Sequence, residues 1–132
     1  MADRPVLTRR RAERFGRTGE AIAALWLIVS GHRIRAARVK TPVGEIDLIA
    51  SRGRSLVFVE VKSRASVLER DLAFAAVNRS RISAAAAFWI GTHPRYAGWD
   101  MRFDVIGLAP MRLPRHVKGA FDATESRGRR WL

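Results

Sequence analysis

The sequence predicts an α/β fold in which helices flank a central mixed β-sheet. Two short apolar segments, residues 45–50 and 56–62, have strand character and are separated by a turn. Two longer segments, residues 12–30 and 78–90, carry apolar residues at helical spacing. A further strand-like segment at 101–108 follows the second helix, and this succession of elements gives a mixed sheet. At 132 residues, the chain is long enough for one domain with a single core.

The chain begins with basic residues and a helix. Residues 1–11 contain four arginines and little that can be buried, which is typical of a loose arm that either binds a polyanion or only aids solubility. A helix is predicted over residues 12–30 and ends at Gly31. Its second half is apolar nearly all round, which indicates a buried helix. Residues 33–39 then form an edge strand, because only two of their side chains are large and apolar.

The two central strands form a hairpin with a two-residue turn. Gly53 followed by Arg54 suits a type II′ turn, whose twist matches that of the flanking strands. This turn sets Arg52 opposite Ser55 and thereby fixes the register of the hairpin. The second strand, residues 56–62, is apolar on both faces over most of its length, which indicates a central position in the sheet.

This register brings four charged side chains together. Asp47 stands opposite Glu60, with Cβ atoms about 4.5–5.5 Å apart. Glu45 stands opposite Lys62 on the same face, and the opposite face receives Ile46, Leu48 and Ala50. Two carboxylates that close repel each other unless one is protonated or a divalent cation such as Mg²⁺ lies between them. The alternative is that the four charges lie at the solvated end of a hairpin, where Lys62 makes ordinary ion pairs.

The helix predicted over residues 78–90 faces the core with four residues at helical spacing, Ile82, Ala85, Ala86 and Trp89. Gly91 is expected to end it. In the strand at 101–108, Asp104 is expected to pair with an arginine rather than to serve as a further acid. After Arg115 a short helix is predicted, which docks on the core through Val117, Ala120 and Phe121. Residues 125–132 form a basic tail.

Composition favours a polyanionic partner. Lysine and arginine number 25 against 12 acidic residues, a net charge of +13, and the planar fork of arginine suits phosphate. No segment is apolar over the ~18 residues that a membrane span needs. Without cysteines or an apolar signal core, the chain is expected in the cytoplasm. The histidines at positions 32, 93 and 116 share no ligand spacing and are expected on the surface or in turns.

Three separated motifs resemble a known family. GEIDLIA at residues 44–50, LVFVEVKSR at 56–64 and MRFDVIGL at 101–108 are similar to the small bacterial UPF0102 (YraN-like) family. Asp47 followed by Glu60-Val61-Lys62 also resembles the D…(D/E)-x-K signature of restriction-endonuclease-like nucleases, especially the Holliday-junction resolvases. The resemblance implies a restriction-endonuclease-like sandwich over residues 12–124.

The resemblance also implies roles for individual residues. Asp47 and Glu60 would hold Mg²⁺ or Mn²⁺, with the Val61 carbonyl as a further ligand. Lys62 would assist catalysis. Glu20 of the first helix would complete the site, although its spacing alone favours a salt bridge.

Residues that contact nucleic acid follow in part from the same resemblance. The candidates are Arg9, Arg10, Arg11, Arg64, Arg79 and Arg81. The family has a lysine where this chain has Asn78, so Arg79 or Arg81 would have to replace it. Residues 63–77 have apolar spacing that supports a helix, whereas the resemblance implies a loop near the substrate.

The predicted function is metal-dependent hydrolysis of DNA phosphodiester bonds. Branched DNA is a candidate substrate, and a homodimer is a candidate assembly. The alternative from another class is a nucleic-acid-binding module that keeps the nuclease fold without turnover.

Overall fold

The structure, a computed structural model, describes residues 17–121. This part of the chain contains three helices and five strands. They are α1 (residues 17–29), β1 (Arg33–Thr41), β2 (Gly44–Arg52), β3 (Ser55–Ser63), α2 (Val67–Ala73), α3 (Arg79–Gly91), β4 (Asp100–Leu108) and β5 (Arg115–Phe121), with 3₁₀ turns at Phe74–Ala76 and Pro94–Tyr96. The predicted arm at residues 1–11 and tail at 125–132 lie outside the described residues.

The five strands form one mixed sheet in the order β1-β2-β3-β4-β5. β3 and β4 are parallel, and the other three neighbouring pairs are antiparallel. β3 therefore lies in the centre, and β1 lies at an edge. The prediction of an α/β fold with a central mixed sheet is confirmed.

The hairpin has the predicted register. Arg52 pairs with Ser55, and the ladder continues to Leu48 and Val59, where it ends. The predicted pairs Asp47–Glu60 and Glu45–Lys62 are not part of it. Gly53 has φ 60°, whereas Arg54 is not among the residues with positive φ, which is the pattern that a type II′ turn requires.

Each face of the sheet carries its own apolar cluster. On one face, β2, β3 and β4 pack against α3, whose buried residues are those predicted: Ile82, Ala85, Ala86 and Trp89. On the other face the same strands pack against Ala23 and Leu27 of α1, which are fully buried. Burying one leucine-sized side chain contributes roughly 1.5–3 kcal/mol, so these two clusters hold both helices to the sheet.

One side chain of β2 lies on the face opposite to that predicted. Ile46 packs in the α3-side cluster with Ile49, whereas Leu48 and Ala50 pack in the α1-side cluster. Strict alternation would give Ile46 the same face as Leu48 and Ala50. The alternation is therefore interrupted between Ile46 and Leu48, at Asp47.

The predicted short helix after Arg115 is wrong, because Arg115–Phe121 forms strand β5. It pairs with β4, with a shift in register between Phe103 and Val105. Gly119, at φ 60°, has a backbone conformation that no α-helix contains. Phe121 nevertheless docks as predicted, stacking on Phe103 with ring centroids 4.8 Å apart.

Three further helix predictions can be compared with the structure. Residues 63–77 contain α2 and a 3₁₀ turn, so the helix interpretation is confirmed there and the loop interpretation is wrong. α3 runs through Gly91 and is capped by Thr92. The expectation that the second half of α1 is buried all round is wrong, since one side leaves large apolar residues exposed: Ile22, Leu25, Ile28 and Val29.

A buried carboxylate joins β4 to β5. Asp104, 1% exposed, accepts hydrogen bonds from Arg102 Nε at 2.8 Å and from the Gly119 N–H at 3.0 Å. Its other oxygen lies 2.7 Å from His116 Nε2. Burial alone would raise the pKa of Asp104, but the hydrogen bonds from His116, Arg102 and Gly119 hold it below its usual value. The predicted pairing of Asp104 with an arginine is confirmed.

Two histidines belong to this buried group. Trp26 of α1 donates from Nε1 to His116 Nδ1 at 3.2 Å, and Arg102 Nη2 lies 3.2 Å from His32 Nε2. The expectation of a surface or turn position is therefore wrong for His32 and His116, whereas His93 is exposed after α3. Burial, and then the charge of Arg102, lower the pKa of His32.

None of the helices within residues 17–121 is both long enough and apolar enough to span a membrane.

Candidate active site

A cavity of about 480 Å³ lies where the β2–β3 ladder ends, beside the beginning of α3. It brings together the four charges predicted from the hairpin, of which Glu45 is the most exposed. The residues that line it are Gly44, Glu45, Asp47, Glu60, Lys62, Ala76, Asn78, Arg81 and Ile82. One sheet face, the preceding 3₁₀ turn and the first turn of α3 thus enclose the space.

Asp47 is the carboxylate with the most perturbed ionisation. Its Oδ2 accepts a hydrogen bond from the Val61 N–H at 2.7 Å, beyond the last ladder pair. Burial raises the pKa of Asp47 to about 7, the nearby charge of Glu60 adds to this, and the Val61 hydrogen bond opposes it. Within the described residues Asp47 has no salt bridge. Near neutral pH, its carboxyl group is therefore protonated in a substantial fraction of molecules.

Glu60 and Lys62 form an ion pair on the same side of β3. Lys62 Nζ lies 3.4 Å from Glu60 Oε1, and each side chain is 20% exposed. Burial raises the pKa of Glu60, while the charge and hydrogen bond of Lys62 oppose the rise. Lys62 thus forms an ion pair with Glu60, whereas at Asp47 its charge is only a minor influence that lowers the pKa.

A second cavity, of about 390 Å³, lies on the α1 side of Asp47. Its lining residues are Arg17, Glu20, Arg38, Lys40, Glu45, Ile46 and Asp47. Glu20 Oε2 accepts from Arg38 Nε at 2.6 Å, and the Glu20 charge raises the pKa of both Asp47 and Glu60. Glu20 is thus close enough to influence the two acids, but its direct partner is an arginine.

Close backbone contacts set these positions. A Cβ on Gly19 would lie 2.1 Å from Ser63 Oγ, so glycine at this position lets α1 approach the end of β3 without displacing the Ser63 side chain. A Cβ on Gly44, which has φ 152°, would lie 2.5 Å from Arg81 Cγ. Gly44 therefore makes room for the Arg81 side chain at the mouth of the first cavity.

The predicted nucleic-acid-binding arginines have different places. Arg81 is exposed and lines the first cavity, and Asn78 caps α3 by accepting a hydrogen bond from the Arg81 N–H at 3.1 Å. Arg79 lies at the first turn of α3 with its guanidinium 5.7 Å from the Phe121 ring centroid. Arg64 donates to the Ser63 carbonyl at 2.8 Å. The other three candidates, at positions 9–11, lie outside the described residues.

Sequence reasoning missed the basic side of the second cavity. Arg38 and Lys40 belong to β1, which extends to Thr41 rather than ending at residue 39, and Lys40 pairs with Glu45 of β2. A partial signal was present in the sequence, because Pro42 and Gly44 mark a break between the two strands, although they do not specify a tight hairpin.

The amino-acid sequence matches a known protein family. Residues 19–108 match the model of a family described as uncharacterised protein family UPF0102. The chain belongs to the UPF0102 family. It is 46% identical over 121 residues to a UPF0102 protein of Mesorhizobium japonicum, covering 92% of this chain and 97% of that one. A UPF0102 protein of Rhodopseudomonas palustris is 49% identical over 119 residues, covering 90% and 92%. The span matched to UPF0102 includes Glu20, Asp47, Glu60 and Lys62 and ends before β5.

Proposed function

We propose that this UPF0102 protein is a metal-dependent endonuclease with a restriction-endonuclease-like fold, which hydrolyses DNA phosphodiester bonds. The observation that carries the proposal is the state of Asp47: a half-buried carboxyl group with a pKa of about 7, beside Glu60 and Lys62 in an open cavity. Perturbed acids in a cleft are typical of functional sites. The order Asp47, Glu60, Lys62 resembles the nuclease signature and supports the same assignment.

The donor set fits a hard divalent cation. Asp47 and Glu60 offer carboxylate oxygens, and Mg²⁺ commonly uses one or two carboxylates while keeping waters and substrate phosphate oxygens. No group of three or more acids, histidines or cysteines within residues 17–121 is placed to hold a metal together. We therefore assign Asp47 and Glu60 as the side-chain ligands, with the Val61 carbonyl as a candidate main-chain ligand and Glu20 in an indirect role through its charge. When bound, Mg²⁺ or Mn²⁺ would acidify a water molecule and stabilise charge on the phosphate.

The other residues of the cavity supply positive charge and hydrogen bonds. Lys62, kept in place by Glu60, can orient a water molecule against the scissile phosphate or offset the charge that develops there. Arg81 projects at the mouth of the cavity, where its guanidinium can bind a flanking phosphate through two hydrogen bonds. In this assignment, Arg81 rather than Asn78 has the role of the family's lysine.

A cleavage screen tests the proposal. The purified protein is incubated with linear, nicked, flapped and four-way-branched DNA, each with Mg²⁺ or Mn²⁺ and each with EDTA. We expect metal-dependent cleavage of at least one substrate and its loss in Glu60→Gln, while Glu69→Gln, an exposed acid on α2, keeps full activity. Cleavage that survives in Glu60→Gln, or no cleavage of any substrate with either metal, would refute the endonuclease assignment.

The net charge of +13 supports a second candidate, a nucleic-acid-binding module without turnover. Both candidates predict binding that weakens with salt, so binding cannot separate them. Only the endonuclease requires that Asp47 and Glu60 take up a metal. The absence of cysteines is compatible with a cytoplasmic place for either function.

A further inference from the structure

A basic surface lies at the opposite end of the sheet from the first cavity. Arg35 of β1, Arg54 of the β2–β3 turn and Arg95 of the second 3₁₀ turn surround two aromatic rings, those of Tyr96 and Trp99. We call these five residues the arginine–aromatic cluster. The function proposed above assigns no role to them.

The rings restrain the arginines without using up their hydrogen-bond donors. The Arg35 guanidinium carbon lies 5.9 Å from the centroid of each ring, that of Arg54 lies 6.0 Å from Trp99, and that of Arg95 lies 5.4 Å from Tyr96. These distances fall within the ~6 Å range of cation–π attraction. Arg35 also donates from Nε to Ser51 Oγ at 2.8 Å. A restrained guanidinium loses less freedom when it binds a phosphate.

The positive charge of the cluster is not neutralised. Arg54 and Arg95 are exposed, and none of the three arginines forms a salt bridge with any residue between 17 and 121. Asp100 follows Trp99 directly in the sequence, but its contact with the cluster is made by the main chain. The Asp100 N–H donates a hydrogen bond to the Arg54 carbonyl at 3.0 Å. The cluster therefore presents arginine side chains that have no acidic partner among residues 17–121, and these can bind an anionic partner.

Strand β1 connects the cluster with the candidate active site. It lies at the edge of the sheet and carries Arg33 and Arg35 at one end and Lys40 at the other. Lys40 lines the second cavity, beside Asp47 and on the α1 side of the sheet, whereas Tyr96 and Trp99 pack on the α3 side, so the two basic groups flank the same edge from opposite faces. From Arg33 to Lys40 the strand covers about 23 Å at roughly 3.3 Å per residue, which corresponds to about seven base pairs at 3.4 Å each.

We propose that the arginine–aromatic cluster and the β1 edge bind the phosphate backbone of a DNA duplex that extends from the candidate active site. The inference rests on the proposed function for the class of ligand, but it does not depend on cleavage. Tyr96 is 7% exposed, and the half-buried ring of Trp99 has Arg35 and Arg54 within about 6 Å of its centroid, so the arginines are the groups that the cluster offers to a ligand. The contacts are therefore made to phosphates, which position a duplex and carry no sequence information.

The competing explanation is that these charges only keep the free edge of β1 from pairing with another sheet. Binding measured in EDTA separates the two. Lys118→Gln is the matched control, since Lys118 is exposed on β5 at the far edge and its loss removes the same charge. Arg54→Gln and Arg95→Gln change exposed side chains, so both variants should fold, which circular dichroism verifies.

We expect each of Arg54→Gln and Arg95→Gln to lower the slope of log affinity against log salt by about 0.9, with a several-fold loss of affinity at about 0.1 M salt. Lys118→Gln should leave both quantities unchanged. The loss should be the same for duplexes of unrelated sequence. If the two arginine variants bind as the control does, the proposed surface is wrong.

A cross-linking experiment locates the contact directly. The chain has no cysteine, so Arg95→Cys and Lys118→Cys each provide a single attachment point for a thiol-reactive photocross-linker. DNA should cross-link to position 95 and not to position 118, and equal yields would contradict the proposal. Cleavage by a protein that fails both tests would leave the endonuclease assignment standing, whereas positive tests on a protein that never cuts DNA would refute that assignment alone.

Discussion

The charge of Asp47 should destabilise the metal-free protein at neutral pH, and Asp47→Asn should remove this effect. The pKa of Asp47 rises from 3.8 to about 7 on folding. A raised acid pKa means that the folded state holds the proton more tightly than the unfolded state does. The free energy of unfolding is therefore highest at low pH, where Asp47 is protonated, and it falls as pH rises from about 4 to about 7. At about 1.4 kcal/mol per unit, the loss is about 4 kcal/mol at most, and we expect roughly half of that because the cavity is open to solvent.

Urea unfolding in EDTA at several pH values measures this difference. Above pH ~7 Asp47→Asn should be more stable than the wild type by about 2 kcal/mol, and below pH ~4 the two should be equal. The amide oxygen of the asparagine can still accept the Val61 N–H bond, so the substitution changes the charge and little else. Asp71→Asn is the control of opposite sign, because hydrogen bonds from Arg115 and Arg70 lower the pKa of that exposed acid.

Metal binding should remove the same destabilisation in the wild type. A metal present at about 100 times its Kd stabilises the folded protein by ~2.7 kcal/mol, and the midpoint of thermal unfolding should rise with Mg²⁺ or Mn²⁺. The rise should be larger at pH 8 than at pH 6, since metal must displace the proton on Asp47. It should shrink in Asp47→Asn and in Glu60→Gln, and the double variant should be non-additive. A less stable Asp47→Asn, or a wild type indifferent to metal, would refute the reasoning.

Three further predictions concern catalysis, binding and assembly. Lys62→Ala should abolish cleavage in a gel assay while DNA affinity stays within a few-fold, whereas Arg81→Ala should weaken binding first; equal cleavage by Lys62→Ala and the wild type would contradict this. Deletion of residues 1–11 should flatten the salt dependence of DNA binding, measured by fluorescence anisotropy, and an unchanged slope would show that the arm makes no phosphate contacts. A homodimer formed through the exposed side of α1 should dissociate in Leu25→Glu, as measured by light scattering, and a wild type that is monomeric at every concentration would exclude it.

The hairpin and α3 could be predicted because local rules decide them. A single glycine turn sets the β2–β3 register, and the helical spacing of four apolar residues gives the buried face of α3. Strand β5 could not be predicted in this way. Val117, Ala120 and Phe121 have helical spacing, but pairing with β4 and the positive φ of Gly119 override it. Similarly, α1 carries more large apolar side chains than the sheet buries, and the composition of the helix does not show which of them stay exposed.

The acids of the candidate site could be predicted, but their surroundings could not. The register of β2 and β3 leads directly to Asp47, Glu60 and Lys62. The pairing of Glu20 with Arg38 depends instead on how α1 docks across the sheet and on the positive φ of Arg38, at 53°. Such contacts join distant parts of the chain, and no local pattern specifies them.

The buried Asp104 group has a consequence for the order in which the domain folds. Its contacts join Trp26 of the first helix to His116 of the last strand, 90 residues apart, and contacts of such separation form late and slowly. During synthesis, Asp104 emerges before His116 and Gly119, which both form hydrogen bonds with its carboxylate in the folded domain. In a chain that stops short of β5, a buried Asp104 would lack two of its three partners, which is strongly unfavourable. The Asp104 group is therefore complete only once β5 has paired with β4.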